Sequence, residues 1–254
     1  MFTTKDLLFS EEERVLNIKL NSVFAKLYDY LKGHSFVKNY TVDDLVFDGI
    51  FPGYLRQNKK ILFIGREALG INGQNYIECL YDAYKFNSIG EKTLDSSSFH
   101  NRMYYITYGI ENKFPEWESI TYASKMAEKF GLGDGISFAF MNLSKFSNES
   151  ESWNVDWELV DSFLNSIKET KYLYEEICVI NPDLIITMNL ENRLNNLGDV
   201  KAIEYGEKLS VYTLNVNNRD IYIFDTYHFS SIKNSSEDFY NPIKDKCIKY
   251  NILT

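Results

Sequence analysis

The stretch that most constrains the fold is KILFIGREALGINGQ, from Lys60 to Gln74. Its apolar run, Ile61 to Ile64, is rich in strand formers, and three glycines interrupt the chain before a helical pattern begins. This order predicts a buried parallel strand that ends in a glycine-rich loop. Ligands of open α/β sheets bind beyond the carboxyl ends of the strands, so we expect Arg66 and Glu67 to face a binding crevice. The alternative interpretation is an ordinary strand-to-helix turn whose glycines supply positive φ.

Length and composition indicate one folded domain. The chain has 254 residues, 44% of them hydrophobic, which is enough for a packed core. No stretch rich in Pro, Gly or Ser divides it, so we expect a single domain over residues 1–254. Within it we expect a helical extension over 1–59, an α/β core that carries the motifs over 60–235, and a closing helix over 236–254.

The charge balance opposes general attraction to a polyanion. Asp and Glu number 36 against 27 Lys and Arg, which gives a net charge of −9. Any contact with nucleic acid must therefore be local.

Cysteine spacing and hydropathy bear on cofactors and location. Cys79, Cys178 and Cys247 lie far apart and never in a CxxC pair, which argues against a disulfide framework and against a zinc or iron–sulfur site. We therefore expect no metal and no cofactor. No apolar run approaches the roughly 18 residues that span a membrane, and the N-terminus lacks the order of a secretory signal. We expect a cytoplasmic monomer without membrane contact.

Strand and helix patterns alternate along the chain. Further apolar strands are expected just before Asn142, over Leu184 to Met188 and over Ile221 to Phe224, with helical patterns between them. This alternation predicts an α/β fold, a three-layer α/β/α sandwich with a central, mainly parallel sheet of about four strands. The N-terminal helical extension is added to it. The run from Val211 to Val216, separated from the last strand by NNRD, predicts a hairpin-like return.

Two helices have clear sequence signals. Ser10, with Glu13 three residues later, forms the two ends of a capping box. Apolar residues recur with helical spacing from Val155 to Ile180, and we expect this crossover helix to break near Thr170.

Polar residues that could take part in binding or catalysis follow two of the strands. The amide of Asn142 offers a donor and an acceptor at fixed spacing, the complement of a pyrimidine edge, although Asn also commonly caps turns. His228 follows the last strand, where a neutral imidazole can donate to a developing oxyanion. His34 and His100 are weaker candidates, and we interpret His100 as a surface residue.

Three motifs therefore follow strand ends in order: GREALGINGQ from Gly65, FMNLSKF around Asn142 and TYHFSS around His228. Together they resemble the uracil-DNA glycosylase superfamily. The first motif of that family reads roughly GQDPYHGPGQ, its second is an apolar strand that ends in Asn, and its last is HPS followed by a loop. The resemblance covers roughly residues 60–235.

The resemblance assigns the chemistry to three residues. Glu67 takes the position of the aspartate that activates water, and Asn142 that of the asparagine that reads the uracil edge. His228 takes the position of the histidine that stabilises the departing base as an anion. Hydrolysis of an N-glycosidic bond needs a carboxylate near the sugar and a donor at the base oxygen, where negative charge grows, and these residues supply both.

The resemblance also implies contacts with the base and with phosphates. A base that leaves the stack needs an aromatic ring to stack on, for which we consider Tyr76, Phe146 and Tyr227, with Leu69 beside the base. The residues expected to contact phosphate or the DNA backbone are Gly65, Arg66, Gln74, Lys145, Ser230 and Ser231, together with Lys233.

The chain also departs from the family pattern. Ala68 replaces the proline of the first motif, and Leu69 replaces the tyrosine that excludes the thymine methyl in one branch, so discrimination between uracil and thymine is not implied. Phe229 replaces the proline of HPS. Arg66 stands beside Glu67, and an ion pair between them would lower the pKa of Glu67.

The resemblance predicts an enzyme that hydrolyses the N-glycosidic bond of uracil or another damaged base in DNA, as in base excision repair, with damaged DNA as its partner. The alternative is a catalytically inactive module of the same fold that binds a nucleotide, a nucleic acid or a protein. A third interpretation is an unrelated doubly wound enzyme that acts on a phosphorylated ligand. The glycine loop disfavours it because the GxGxxG spacing is absent.

Overall fold

The computed structural model describes residues 8–150 and 154–253. Its α-helices are α1 (Glu11–Leu31), α2 (Tyr76–Lys85), α3 (Ser98–Glu111), α4 (Ala123–Ala127), α5 (Trp157–Ile167), α6 (Tyr172–Ile180) and α7 (Glu237–Lys249). Its strands are β1 (Gly49–Ile50), β2 (Ile61–Gly65), β3 (Ala68–Leu69), β4 (Ala139–Asn142), β5 (Ser147–Asn148), β6 (Leu184–Met188), β7 (Val200–Glu204), β8 (Leu209–Val216) and β9 (Arg219–Thr226). Short 3₁₀ helices lie at Val37–Asn39, Val42–Asp44, Tyr54–Arg56, Trp117–Ser119 and Glu191–Leu197.

Helix α1 begins at the predicted capping box. The Ser10 hydroxyl accepts the N–H of Glu13 at 3.2 Å, and a carboxylate oxygen of Glu13 accepts the N–H of Ser10 at 2.9 Å. The second oxygen of this buried carboxylate accepts the N–H of Leu55 at 3.1 Å. The cap therefore also fastens the helix to the turn that precedes β2.

The central sheet has the strand order β1-β4-β2-β6-β9-β8-β7. The four inner strands β4, β2, β6 and β9 are parallel, as expected for continuous apolar runs buried on both faces. The sheet has seven strands instead of about four, because antiparallel β1 extends one edge and antiparallel β8 and β7 extend the other. A separate small sheet pairs β3 with β5 in parallel.

The edge strands differ from the inner ones for physical reasons. β1 has only two residues, and β7 is largely exposed, so neither shows the apolar pattern of a buried strand. The predicted return between β8 and β9 is confirmed. Asn217 and Asn218 form its two-residue turn, both with positive φ, which suits the right-handed twist of a hairpin.

The crossover from β4 to β6 breaks where the sequence indicated. α5 ends at Ile167, and Thr170 turns the chain into α6, its hydroxyl donating to the carbonyl of Ile167 at 2.7 Å and accepting the N–H of Tyr172 at 3.3 Å. In the sheet, β4 lies on one side of β2 and β6 lies on the other, so the order of the strands reverses direction at β2. This reversal is a topological switch point, where open α/β sheets bind ligands.

Buried apolar side chains join the elements into one cluster that runs from Phe9 to Ile252. Aromatic rings fill the layer that α2, α3 and α4 share with the sheet. Phe51, Phe130 and Phe138, for example, have ring centroids 5.1 to 5.2 Å apart. This rigid layer lies below the ends of β4 and β2. Over the two ranges that the structure describes, every helix is too short or too polar to cross a membrane.

Candidate active site at the strand exits

Gly65 and Asn142 end the adjacent strands β2 and β4 and are paired in register. A Cβ atom on Gly65 would lie 2.7 Å from Oδ1 of Asn142 and 2.9 Å from the ring of Phe140. Only glycine therefore leaves space for the Asn142 amide to lean over β2. The predicted role of Gly65 as a phosphate contact stays a prediction, but its steric role is clear.

The side chain of Asn142 is buried and incompletely bonded. The residue is 2% exposed, and its backbone N–H donates to Oδ2 of Asp48 at 2.7 Å. Its Nδ2 has no hydrogen-bond partner among the described residues. A buried polar group without a partner costs about 1–3 kcal/mol, and no described residue offsets that cost for this Nδ2.

The loop after β2 is fixed by backbone hydrogen bonds to the chain that follows β4. The N–H of Leu143 donates to the carbonyl of Gly65 at 3.0 Å, and the N–H of Ser144 donates to the carbonyl of Arg66 at 2.8 Å. Pairing of β3 with β5 continues this connection. Arg66 and Glu67 are thus held on a rigid turn at the sheet edge.

Glu67 is a half-buried carboxylate at the start of α5. Its Oε1 accepts the N–H of Asp156, the N-cap residue of α5, at 2.9 Å. Burial raises the pKa of Glu67, and the opposing effects of the Asp156 N–H and of Arg66 are smaller. Arg66 lowers this pKa as expected, but the net shift is upward. Desolvation is the larger effect, and it makes the carboxylate a stronger base.

Arg66 is positioned by Asn189 and Trp157. Its Nη2 donates to the carbonyl of Asn189 at 3.2 Å, and its guanidinium lies 4.9 Å from the ring of Trp157, which Arg193 approaches at 3.8 Å. Burial lowers the pKa of Arg66, and its Nε has no partner among the described residues. The predicted phosphate contact of Arg66 stays a prediction.

His228 reaches the site because the chain turns back after β9. The next residue, Phe229, is fully buried, and its ring lies 5.9 Å from that of Phe63 on β2 and 6.5 Å from that of Phe99 on α3. Phe229, which replaces the proline of the family motif, is thus an apolar anchor. It packs the loop that carries His228 against β2 and α3.

Hydrogen bonds define the tautomer of His228. The N–H of Ser230 donates to its Nδ1 at 3.3 Å, and the Ser230 hydroxyl lies 2.6 Å from the same nitrogen. Because Nδ1 accepts, the neutral ring carries its proton on Nε2. Burial, followed by the charges of Arg66 and Arg102, lowers the pKa of His228 to about 4. The imidazole is therefore a neutral donor at physiological pH.

Arg102 holds the His228 loop and has no signal in the sequence. It is 3% exposed and donates from Nη1 to the carbonyls of Phe229 and Ser231, the latter at 3.0 Å. Its Nη2 donates to the carbonyl of Asn234, and its guanidinium lies 4.1 Å from the ring of Phe239. The Ser231 carbonyl is thus already bonded, and its hydroxyl accepts from Asn234 at 3.2 Å.

Phe99 is the aromatic ring beside His228. Its centroid lies 5.5 Å from the imidazole and 6.1 Å from the ring of Phe140, and the residue is half-buried. Tyr76 instead stacks flat on Phe140 at 4.5 Å and is 6% exposed. Phe146 is fully buried. Its ring contacts Phe36, Tyr40 and Phe163.

These positions correct the choice of stacking ring. Tyr76 and Phe146 are enclosed by other aromatic side chains and leave almost no ring surface for a base. Phe99 was missed because it starts α3 after a polar, serine-rich loop, where nothing in the sequence marks a strand end.

Lys145 cannot contact a phosphate from its position. Its side chain is 0% exposed, and Nζ lies 2.6 Å from Oδ1 of Asp48 and 2.9 Å from Oε2 of Glu176. Burial lowers the pKa of Lys145, but the two carboxylates outweigh it and raise the pKa overall. Burial also raises the pKa of Glu176. This residue is structural, which corrects its assignment as a DNA contact.

The remaining predicted residues lie at the rim. Gln74 is exposed, and its Oε1 accepts from Sγ of Cys79 at 3.4 Å. Leu69 is 41% exposed and Ser230 is exposed, whereas Tyr227 is half-buried. The structure leaves these contacts as predictions. His100, expected at the surface, is half-buried; its Nδ1 lies 2.8 Å from the hydroxyl of Tyr84, and burial lowers its pKa to about 3.

Within residues 8–150 and 154–253, no group of three or more His, Cys, Asp or Glu side chains is arranged to hold a metal ion. Comparison with protein-family models and with curated proteins gives no match to this chain. A function can therefore be inferred from the geometry of the strand exits.

Proposed function

We propose that this protein hydrolyses the N-glycosidic bond of uracil or another damaged base in DNA. The observation that carries the proposal is the buried amide of Asn142. It leans over Gly65 with its Nδ2 unpaired, at the same sheet edge as a neutral imidazole. A buried amide without a partner is a costly feature in a core and a useful one in a base pocket.

Asn142 supports recognition of a pyrimidine edge. Its free Nδ2 can donate to a base carbonyl, while Oδ1 can accept from a ring N–H. The register of β2 and β4 fixes the amide, and the Asp48 carboxylate holds the backbone N–H of Asn142 from below. Such support on rigid strands gives the precision that discrimination of a base needs.

His228 and Glu67 support the bond cleavage. As the glycosidic bond breaks, negative charge develops on the base oxygen, and the Nε2–H of His228 can donate to it without a prior change of protonation. Glu67, with its raised pKa, can orient a water molecule and take a proton from it while offsetting positive charge on the sugar.

Phe99 and Arg66 complete the proposed site. The half-buried ring of Phe99 lies against His228 and offers a face on which an extruded base can stack. Arg66 supplies positive charge beside the catalytic groups in a chain of net charge −9. With Lys145 enclosed, one cation fewer can contact phosphate than the sequence indicated, so we expect weaker DNA binding with a smaller salt dependence.

The test is release of uracil from labelled single-stranded and double-stranded oligonucleotides, read as alkali-labile abasic sites. We expect Glu67→Gln and His228→Gln each to slow release by about 10²–10³-fold. Glu128→Gln is the matched control because Glu128 is an exposed carboxylate paired with Lys125. Absence of product with both substrates, or unchanged rates in the first two variants, would contradict the proposal.

A second candidate function is a catalytically inactive module that binds a nucleotide or a modified base. It is favoured by the engagement of Glu67 with the Asp156 N–H and by the enclosure of Lys145, which reduce the groups free for catalysis and for DNA. Thermal-shift measurements with free bases, nucleotides and abasic DNA separate the two candidates. A binder is stabilised in a saturable way without turnover, and stabilisation by none of these ligands would contradict this candidate.

A further inference from the structure

A pocket adjoins the strand exits on the side of β9, β8 and β7. Its volume is about 460 Å³, within the range of small-ligand pockets. It shares two connections with the proposed site. The carbonyl of Asn189, which lines it, accepts the hydrogen bond of Arg66, and Tyr227, which also lines it, precedes His228 in the chain. A ligand that extends from the proposed site can therefore continue into it.

The lining combines aromatic rings and amides. Asn189, Asn192 and Asn195 contribute from the segment after β6. Tyr212 contributes from β8, and Tyr205 and Tyr227 contribute from the positions directly after β7 and β9. Amides match the donor and acceptor pairs on base edges, and tyrosine rings offer faces for stacking. Tyr205 is 77% exposed, with its ring edge-on to Tyr212 at 6.1 Å.

The charges of the lining exclude a phosphate. Glu191, Glu207 and Asp225 are acidic, whereas Lys208 is paired with Asp238 at 3.0 Å. The base of a nucleotide in a DNA strand can enter this pocket while the two phosphates that flank the nucleotide stay outside. The chemistry of the lining therefore fits an uncharged heterocycle and not the DNA backbone.

Hydrogen bonds hold residues within and beside the lining of the pocket. Glu204, at the end of β7, accepts hydrogen bonds from Lys246, Lys249 and Tyr250 of the C-terminal segment at 2.7 to 2.8 Å. On the opposite wall, the Asp225 carboxylate accepts the N–H groups of Leu190 and Glu191 at 3.1 and 3.2 Å. Binding here would order few further groups.

We propose that this pocket binds the unpaired base of a nucleotide that neighbours the target nucleotide in single-stranded DNA. The inference rests on the proposed function, because it names the substrate class of the same site. A base in a duplex is stacked and paired, so only a single strand or an opened region delivers two bases to separate pockets.

The experiment measures binding of short single strands that carry a central 2′-fluorinated deoxyuridine, which resists hydrolysis. In a series of strands, each neighbouring nucleotide in turn is replaced by an abasic residue. We expect one replacement to weaken binding by roughly 5- to 100-fold, the range for loss of one stacked base. Tyr205→Ala should weaken binding of the intact strand to a similar extent and make that replacement silent. Tyr122→Ala is the matched control because Tyr122 is 70% exposed and lies outside the pocket lining.

The outcomes separate this inference from the proposed function. Equal affinity for all strands, or independent effects of Tyr205→Ala and the abasic replacement, overturns the proposed role of this pocket even if uracil is released. Dependence on one neighbouring base supports it even if no uracil is released, in which case the proposed hydrolysis fails alone. Absence of binding to every strand overturns the inference.

Discussion

Asn142 and Lys145 are polar residues three positions apart after the same strand, and both are almost completely buried. Lys145 has its charge surrounded by two carboxylates, at 2.6 and 2.9 Å. Asn142 has its backbone bonded to one of those carboxylates, Asp48, while its side-chain Nδ2 is unpaired. The two residues are therefore alike in burial and differ in whether the polar atoms of the side chain are paired.

The two residues should also differ in how they contribute to the free energy of unfolding. A paired buried charge is stabilised by its partners, and removal of one partner leaves the others without compensation. An unpaired buried amide already weakens the fold, and a ligand that pairs it recovers that loss. The two residues should therefore respond in opposite ways to substitution, in stability and in activity.

The largest expected effect is on stability, at Lys145. Lys145→Met leaves Asp48 and Glu176 buried without the ammonium, and we expect a loss of about 3–5 kcal/mol in the free energy of unfolding. Urea denaturation followed by circular dichroism measures it. The control is Lys60→Met, since Lys60 pairs with Asp183 at 3.0 Å with both side chains partly exposed. It should cost at most about 1 kcal/mol. Similar losses in both variants would contradict the structural role of Lys145.

Gly65→Ala tests the space that Asn142 occupies. The new Cβ would lie 2.7 Å from Oδ1 of Asn142, so the amide must move, and we expect release of uracil to fall by about 10²-fold. In the Asn142→Ala background the same substitution should cost less, because only the close contact with the Phe140 ring, at 2.9 Å, remains. Rates of abasic-site formation for the two single variants and the double variant decide the question. Independent effects would show that Gly65 acts on something other than Asn142.

The pH dependence of stability tests the burial of His228. Its pKa is about 4 in the folded protein and near 6.5 when unfolded, so between these values the unfolded state binds more protons. Stability is then fully present above about pH 6.5 and falls as the pH decreases toward 4. Between pH 7 and pH 5 we expect His228 to contribute roughly 1–2 kcal/mol of this loss.

The measurement compares urea unfolding of the natural protein and of His228→Gln at the two pH values. On acidification the variant should lose less stability than the natural protein, and the difference is the contribution of His228. The carboxylates and His100, whose pKa of about 3 acts in the same direction, contribute equally to both proteins. An identical pH dependence in the two proteins would show that His228 is not desolvated.

Much of the inner sheet was predictable because buried parallel strands have continuous apolar sequences. β2, β6 and β9 and the break near Thr170 follow from local pattern and turn chemistry. β7 was not predictable, because its side chains are mostly exposed and its only strand partner is β8 at the edge of the sheet. Edge strands depend on tertiary context more than inner strands do.

The candidate site was predictable only where a residue directly follows a strand. The positions of Glu67, Asn142 and His228 followed from this rule, but Lys145 obeyed the same rule and is buried. Its partners Asp48 and Glu176 lie 97 and 31 positions away in the sequence, so no local pattern predicts that they contact Lys145. Likewise Arg102 holds the His228 loop across 127 positions of sequence, a distance beyond any motif.

The smallest expected effect is on stability, at Asn142, and it is the sharpest test of the comparison. Asn142→Ala removes an unpaired Nδ2, which should stabilise the fold, and opens a small cavity, which should destabilise it. We expect these terms to cancel to within about 1 kcal/mol in urea unfolding. Binding of a strand with 2′-fluorinated deoxyuridine should nevertheless weaken by about 10-fold or more, since the base edge loses its partner. A stability loss near that of Lys145→Met would instead place Asn142 among the structural polar residues, and the amide would then no longer support base recognition.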